Sequence, residues 1–140
     1  MAQQQVVVVL GAVRNEAGDL LVARRVDTSI PEAFGKWELP GGKVNFGEQP
    51  EIALLREVQE ECGLEVKILR LLPKVFTHVW QTSLGQELQV VLLTYECVVV
   101  SGSLSNHQVQ DEIGELRFVP LQELKTMSLL PNIAQTIKLL

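Results

Sequence analysis

Three glutamates, Glu57, Glu60 and Glu61, fall within a segment that the sequence predicts to be helical over residues 49–62. A helix advances about 100° per residue, so Glu61 and Glu60 lie about 40° and 60° to either side of Glu57. Leu54 and other apolar residues form a neighbouring face of the same helix. The helix is therefore expected to pack through its apolar face and to present three carboxylates beside it.

Two interpretations of this acidic face differ in what balances its charge. The first is a face exposed to solvent, as on many amphipathic helices. The second is a cation site, because like charges three and four residues apart destabilise a helix by about 0.2–0.5 kcal/mol per pair. No lysine lies on that face to offset them. Converging carboxylates suit Mg²⁺ or Mn²⁺, which also accept waters and substrate phosphates.

The residues around this helix form a longer pattern. It runs through Gly42, five residues, Glu48, seven residues, and then Arg56-Glu57-Val58-Gln59-Glu60-Glu61-Cys62-Gly63-Leu64. This pattern resembles the Nudix box at every fixed position. The preceding residues, 37–43, resemble the lead-in of the MutT-like branch of that family, and so does the strand-turn-strand that carries Arg25 near its end. The resemblance is strong over residues 6–64 and weaker over 88–140.

The resemblance implies a hydrolase that cleaves a nucleoside diphosphate linked to another group with bound Mg²⁺, for which Mn²⁺ substitutes. Carried onto matching positions, it makes Glu57, Glu60 and Glu61 metal ligands, together with the backbone carbonyl of Gly41. The metal would lower the pKa of a bound water, and a carboxylate would accept its proton. Which of the three glutamates is that base stays open.

The resemblance also assigns supporting residues. Glu48 would support the metal site through its loop, and Arg56 would orient Glu57 by a charge-assisted hydrogen bond. MutT-like enzymes take one further acid from a late loop, for which Asp111, Glu112 and Glu115 are candidates. Glu112 is the best match in spacing, and the alternative is an acidic surface turn.

Contacts with substrate are assigned by the same resemblance. Lys43 and Arg25 would contact phosphate, although such side chains are often simply solvated. Asn132 would read a purine edge, or it caps the last helix, a position that Asn favours. Trp80 is expected in the core, and His78 is expected to be structural or solvated.

Three functions remain open. The favoured one is a nucleoside triphosphate pyrophosphohydrolase that releases a monophosphate and pyrophosphate, with oxidised purine nucleotides among its expected substrates. The second is a hydrolase of ADP-ribose or a nucleotide sugar; such relatives carry a proline about 15 residues after the box, where this sequence has none, the nearest being Pro73. Dinucleoside polyphosphate hydrolases carry a tyrosine there, and the chain's single tyrosine is Tyr95. The third is a non-catalytic nucleotide-binding module, which usually has a broken box.

Length and composition fit a single domain over residues 1–140. Hydrophobic residues make up 46% of the 140, which excludes an intrinsically disordered chain. The net charge of −5 argues against a nucleic-acid polymer as partner, since polyanion binding needs clustered basic residues. No stretch resembles a membrane helix or a signal peptide. With only two cysteines, Cys62 and Cys97, a reduced cytoplasmic location is expected.

The elements that must position these residues alternate irregularly along the chain. Strands are predicted over 6–13, 20–26, 37–39, 64–76, 88–100 and 116–119, and helices over 49–62, 120–125 and 132–140. The first two strands are expected to form a hairpin, with 6–13 buried on both faces. This order indicates an α+β fold, and the resemblance specifies it as an α/β/α sandwich with a mixed sheet between helices, as a monomer or a homodimer.

Overall fold

The computed structural model of the protein describes residues 2–104 and 113–140. Its strands are β1 (Gln3–Arg14), β2 (Leu20–Arg25), β3 (Trp37–Glu38), β4 (Gly41–Lys43), β5 (Leu64–Leu71), β6 (Phe76–Gln81), β7 (Glu87–Gly102) and β8 (Ile113–Val119). Its α-helices are α1 (Pro50–Cys62) and α2 (Ile133–Ile137), and short 3₁₀ helices occur at Pro31–Ala33 and Glu123–Thr126.

The eight strands form one mixed sheet around β1. Its central order is β3-β2-β1-β7-β5, with β4 beside β1, β6 beside β7, and β8 beside β2. β1 and β7 are parallel along the whole of β1, whereas the other pairs of strands are antiparallel. The expected hairpin of the first two strands is present only at its turn, where Arg14 pairs with Leu20. Beyond the turn, β2 pairs with β8 instead.

Side chains of β1 alternate between two cores on opposite faces of the sheet. Val9 and Val13 join a buried cluster with the apolar face of α1. Leu10 and Ala12 join a second cluster that includes residues of α2 and the neighbouring 3₁₀ helix. The sheet therefore lies between helices, which confirms the sandwich. The start of β1 is less buried than expected, since Val7 is 40% exposed.

Several predicted elements have different bounds in the structure. The strand expected over 64–76 is two strands, β5 and β6, separated by a segment containing Pro73, whose missing N–H cannot join a sheet ladder. Both pair with β7, one after the other. The helix expected over 120–125 is the 3₁₀ turn Glu123–Thr126, and the last helix is shortened to Ile133–Ile137.

Both cysteines are buried. Burial is the main cause that raises the pKa of Cys62 and of Cys97 to about 12, so neither thiol is a ready nucleophile. In the described part of the chain, no helix is long and apolar enough to cross a membrane.

Candidate functional site

The helix that carries the glutamates begins and ends as its sequence dictates. Pro50 occupies the first turn, where its missing N–H leaves no bond unmade. Gly63 follows the helix with a φ of 70°, and its N–H donates to Gln59 O at 3.0 Å. Between these ends the apolar side of α1, including Leu54 and Val58, is buried against the sheet. This packing fixes which way the glutamates point.

The three glutamates differ in their surroundings. The Glu57 side chain is 16% exposed and that of Glu60 is 52% exposed. Glu61 is buried, and its Oε2 atom has no hydrogen-bond partner within the described residues. Burial, followed by the charge of Glu57 and a hydrogen bond with it, raises the pKa of Glu61 to about 9, against a smaller lowering by the Gly41 backbone. Glu57 and Glu61 thus form a close carboxyl pair, in which burial and the charge of Glu57 disfavour the ionised form of Glu61.

Two glycines of β4 let the helix and the sheet approach this closely. A Cβ atom on Gly41 would lie 1.9 Å from Val9 O, and its φ of 153° is one that other residues rarely adopt. A Cβ atom on Gly42 would lie 2.6 Å from the Glu57 Cδ atom. Gly42 therefore leaves the space in which the Glu57 carboxylate sits, and Gly41 lets β4 lie close to β1.

Arg56 connects the expected supporting residues to the glutamates. Its Nε and Nη2 atoms donate to Glu48 Oε2 and Oε1 at 2.9 and 3.1 Å. Its Nη1 atom donates to Glu57 Oε1 at 3.0 Å and to Glu60 Oε2 at 3.3 Å. The hydrogen bond from Arg56 is the main cause that lowers the pKa of Glu48, whose Oε1 also accepts the Asn45 backbone N–H at 3.0 Å. The loop before α1 and the helix are thereby tied through one guanidinium.

A cavity of about 520 Å³ brings part of the predicted site together. Gly41, Lys43, Glu57 and Glu61 all line it, and so does Arg25. Glu60 and the Glu48–Arg56 pair lie beside this lining rather than in it. The volume is within the range of small-molecule sites, which is about 300–1,000 Å³.

Arg25 and Lys43, the two predicted phosphate contacts, differ in how far neighbouring carboxylates already offset their charge. The Arg25 guanidinium is shared between Asp27 at 2.7 Å and Glu38 at 3.4 Å. The pKa of Asp27 is lowered overall. Burial acts to raise it, but the hydrogen bonds from Ser29 and Arg25 and the charge of Arg25 together outweigh burial, so the carboxylate stays ionised beside Arg25. Lys43 is exposed and forms no ion pair with any described residue. Lys43 is therefore the better available cation for an anionic ligand.

The cavity also contains two residues that sequence reasoning placed elsewhere. His78 and Trp80 both line it, with ring centroids 4.3 Å apart and planes at 69°. Trp80 belongs to a buried cluster, as expected, yet part of it faces the cavity. The missed signal is the alternation of Phe76, His78 and Trp80, which puts three rings on one face of β6. The alternation was missed because the predicted strand over 64–76 ends at Phe76, which is the first residue of β6.

The remaining predicted residues lie apart from the carboxyl pair. Asn132 precedes α2, but its side chain makes no capping hydrogen bond; its Nδ2 atom donates to Thr77 O at 3.2 Å. It is not among the described residues that line the cavity, although Pro131 and Ile133 are. Glu112 and Asp111 lie outside the described residues. Glu115, on β8, pairs with Arg24 of β2 and with Arg117 of its own strand.

The donor set at the cavity fits a hard divalent cation. It consists of oxygen atoms from the Glu57 and Glu61 carboxylates and from the adjacent Gly41 backbone. One of them, Glu61 Oε2, is buried and has no hydrogen-bond partner among the described residues. A divalent cation bound here would satisfy that oxygen. Within residues 2–104 and 113–140, however, no three His, Cys, Asp or Glu side chains are grouped closely enough to hold a metal. The Glu60 carboxylate accepts a hydrogen bond from Arg56.

Comparison with known proteins identifies the family. The NUDIX domain model matches residues 4–140. An 8-oxo-dGTP diphosphatase of Escherichia coli is 37% identical over 68 residues, which cover 49% of this chain and 51% of that protein. An RNA pyrophosphohydrolase of Acidiphilium cryptum is 42% identical over 68 residues, covering 48% of this chain and 41% of that protein. The chain thus spans about half the length of these curated relatives or less.

The structural comparison covers nearly all of the chain. A MutT Nudix hydrolase from Burkholderia pseudomallei has a TM-score of 0.76 at 26% identity, covering 98% of each chain. The fold match extends through the C-terminal part, where the sequence resemblance is weaker. Together with the family model and the intact pattern from Gly42 to Leu64, it shows that the chain belongs to the Nudix hydrolase family, in its MutT-like branch.

Proposed function

We propose that the protein is a metal-dependent nucleoside triphosphate pyrophosphohydrolase that releases a nucleoside monophosphate and pyrophosphate, with oxidised purine triphosphates among its substrates. The observation that carries the proposal is a cavity that has the Glu57–Glu61 pair at its lining and an aromatic pair, His78 and Trp80, on its sheet wall. Carboxylates serve a metal-bound phosphate chain, and aromatic rings stack with a base. The relative named as an 8-oxo-dGTP diphosphatase supports the same substrate class.

Glu57, Glu61 and the Gly41 carbonyl are the proposed ligands of a Mg²⁺ ion, with Mn²⁺ as a substitute and Glu60 as a further ligand from the same helix. A divalent cation supplies charge neutralisation of phosphate oxygens and lowers the pKa of a water that it holds. Glu112 stays a proposed ligand on sequence grounds alone. The Glu48–Arg56 pair keeps Glu57 in one orientation while it binds.

The protein's own side chains supply the proton acceptor and the positive charges that contact phosphate. One carboxylate of the Glu57–Glu60–Glu61 set is the proposed base that accepts the proton of the attacking water, because carboxylates are the side chains of the proposed ligand set that can act as bases. Lys43, which has no ion pair within the described residues, contacts the phosphate chain. Arg25 contributes less positive charge, since Asp27 and Glu38 already offset it.

A substrate panel tests the proposed reaction. With saturating Mg²⁺, we expect kcat/KM to be highest for a purine nucleoside triphosphate or its oxidised form, with monophosphate and pyrophosphate as products. The panel adds ADP-ribose, a nucleotide sugar, a diadenosine polyphosphate and 5′-triphosphorylated RNA, with products identified by chromatography. Chelation of the metal is expected to abolish turnover.

Other results on this panel contradict the proposal in distinct ways. Highest efficiency with ADP-ribose, releasing AMP and ribose phosphate, would assign the chain to the nucleotide-sugar alternative. Highest efficiency with the RNA would mean that the cavity binds the 5′ end of an RNA chain. Saturable nucleotide binding without any turnover would indicate a non-catalytic binding module.

Arg56→Lys tests whether the guanidinium orients the site. Lysine keeps the charge but cannot bond Glu48 through two nitrogens while also reaching Glu57, so Glu57 loses its fixed orientation. We expect kcat to fall about 10- to 100-fold, the usual cost of removing a partner of a metal ligand. Steady-state kinetics at saturating Mg²⁺ measure the change.

The control is Arg70→Lys, at an exposed arginine that bonds Glu96 and the Leu139 carbonyl. It is expected to keep wild-type kcat. Equal losses in the two variants, or full activity in Arg56→Lys, would refute the orienting role.

A further inference from the structure

One face of the sheet forms the floor of the cavity, and its side chains lie in rows across β1, β7 and β6. The strand register pairs Gln4 with Leu88, and Leu88 with Trp80. Residues paired in this way point to the same face of a sheet, and all three line the cavity. The next row on this face consists of Val6, Val90 and His78. The start of β1 and the aromatic residues of β6 therefore border the same strip of floor.

The two ends of this cavity differ in charge. The charged residues of its lining lie on β2, β3, β4 and α1, and they are Arg25, Glu38, Lys43, Glu57 and Glu61. The polar residues at the other end are uncharged, and they are Gln4, Thr82, Ser83 and Gln86. Gly41 pairs with Leu10, which follows Gln4 on β1 by about 20 Å at 3.3 Å per residue. An elongated ligand with an anionic end and a neutral end fits this division.

Three consecutive glutamines lie at the start of β1, and they differ in what their side chains bond. Gln3 Nε2 donates to Glu87 Oε1 at 2.9 Å, and Gln5 Nε2 donates to Gln89 Oε1 at 2.7 Å. Both side chains lie on the face away from the cavity floor, because successive residues of a strand alternate. The Gln4 side chain lines the cavity and forms no hydrogen bond with any described residue. Its amide donors and its acceptor are thus open to a ligand.

Gln4 and Trp80 stand two strands apart, with Leu88 between them on the floor. Neighbouring strands are about 4.8 Å apart, so the Cα atoms of Gln4 and Trp80 are separated by about 10 Å. A base that packs against Trp80 above Leu88 comes within reach of the Gln4 side chain. A primary amide carries both donors and an acceptor, which suits the mixed donor and acceptor edges of bases.

We propose that Gln4 is a specificity-determining residue that hydrogen-bonds the edge of the nucleotide base. The nucleotide then lies along the cavity, with its phosphates at Glu57 and Glu61 and its base between Trp80 and Gln4. The inference rests on the proposed function, since it assigns the orientation of the same substrate. A residue that bonds the base edge changes the ranking of bases, whereas a residue that only supports the strand affects every nucleotide alike.

Two variants at this position remove different parts of the contact. Gln4→Glu keeps the size of the side chain but replaces the amide donors with acceptors, and Gln4→Leu removes donors and acceptor without adding charge. The matched control is Gln5→Glu, which adds the same charge at the next residue on the opposite face of β1. We expect the control to keep the wild-type kcat/KM for every nucleotide.

The deciding measurement is kcat/KM for four purine triphosphates with saturating Mg²⁺. ATP and ITP differ at positions 1 and 6 of the base, ITP and GTP at position 2, and GTP and 8-oxo-GTP at positions 7 and 8. We expect Gln4→Glu to change at least one of these three ratios by about two- to tenfold, the effect of one hydrogen bond. Gln4→Leu is expected to lower kcat/KM for the preferred purine by a similar factor, chiefly through KM.

A binding experiment separates this inference from the proposed reaction. If the wild type hydrolyses no triphosphate, the proposed function fails, and calorimetric titration of the metal-free protein with AMP, IMP, GMP and 8-oxo-GMP decides the role of Gln4. The same change in the ratios of the dissociation constants is then expected in Gln4→Glu and not in Gln5→Glu. If the wild type also binds none of the monophosphates, the cavity does not hold a base and the inference fails as well.

The remaining outcomes are equally decisive. A changed ratio in Gln4→Glu with unchanged ratios in Gln5→Glu supports the assignment, and the pair that changes shows which part of the base meets the side chain. Three unchanged ratios overturn it, whether kcat/KM stays at the wild-type value or falls equally for all four nucleotides. Equal changes in both variants also overturn it, because the added charge and not the contact of Gln4 would then be the cause.

Discussion

Glu57→Gln is expected to lower kcat by about 10²- to 10⁴-fold at saturating Mg²⁺ while the protein stays folded. The amide has nearly the shape of the carboxylate, and its oxygen still accepts the hydrogen bond from Arg56 Nη1. It carries no negative charge for a cation and cannot take a proton from water. The loss therefore falls on chemistry rather than on packing, and steady-state kinetics over a Mg²⁺ titration measure it.

The matched control is Glu51→Gln, the same change on the same helix. Glu51 is exposed and accepts the Tyr95 hydroxyl at 3.1 Å, which an amide oxygen also does. Its kcat is expected to equal that of the wild type. Urea denaturation checks that both variants retain their free energy of unfolding. A folded Glu57→Gln protein with kcat within twofold of the wild type would show that the site has been wrongly assigned.

Gly41→Ala is expected to cost about 3 kcal/mol of unfolding free energy and to abolish activity. The new Cβ atom would lie 1.9 Å from Val9 O, so β4 must separate from β1, with which it pairs at only three positions. Moving β4 also displaces Gly41 from Glu61 and removes the backbone hydrogen bond that partly offsets the raised pKa of Glu61. Urea denaturation followed by tryptophan fluorescence measures the cost.

Gly85→Ala isolates the contribution of backbone strain. Gly85 has a φ of 76°, and a Cβ atom at this position would meet nothing within 4 Å, so only the left-handed conformation opposes alanine there. The expected cost is about 1 kcal/mol with activity retained. Equal costs at the two positions would mean that the close approach of β4 to β1 is not what requires glycine at position 41.

Local patterns predicted α1 with good accuracy. The apolar and acidic faces follow from 3.6-residue periodicity, and Pro50 and Gly63 mark its ends through their own backbone preferences. The spacing from Gly42 to Leu64 identified the family for the same reason, because its residues are close together in the chain, from β4 through one loop and α1 to the first residue of β5. The contact of Arg56 with Glu57 was expected, and the structure contains it at 3.0 Å.

Patterns that depend on distant pairing were predicted less well. The hairpin of β1 and β2 was expected from adjacency, but β1 pairs along its whole length with β7, more than 80 residues later. Parallel pairing of that kind leaves no turn in the sequence to mark it. The division between β5 and β6 was missed as well: the two strands pair with β7 one after the other, and only Pro73 marks the break between them in the sequence.

The sequence by itself determined the acidic helix, the glycines that lead to it and the family, because each depends on residues that are close together in the chain. Only the tertiary structure decided what faces the carboxylates. His78 and Trp80 join the cavity through β6, and Asn132 contacts Thr77 from a segment 55 residues away in the chain. Such contacts arise from strand pairing and packing between distant segments, which no local periodicity encodes.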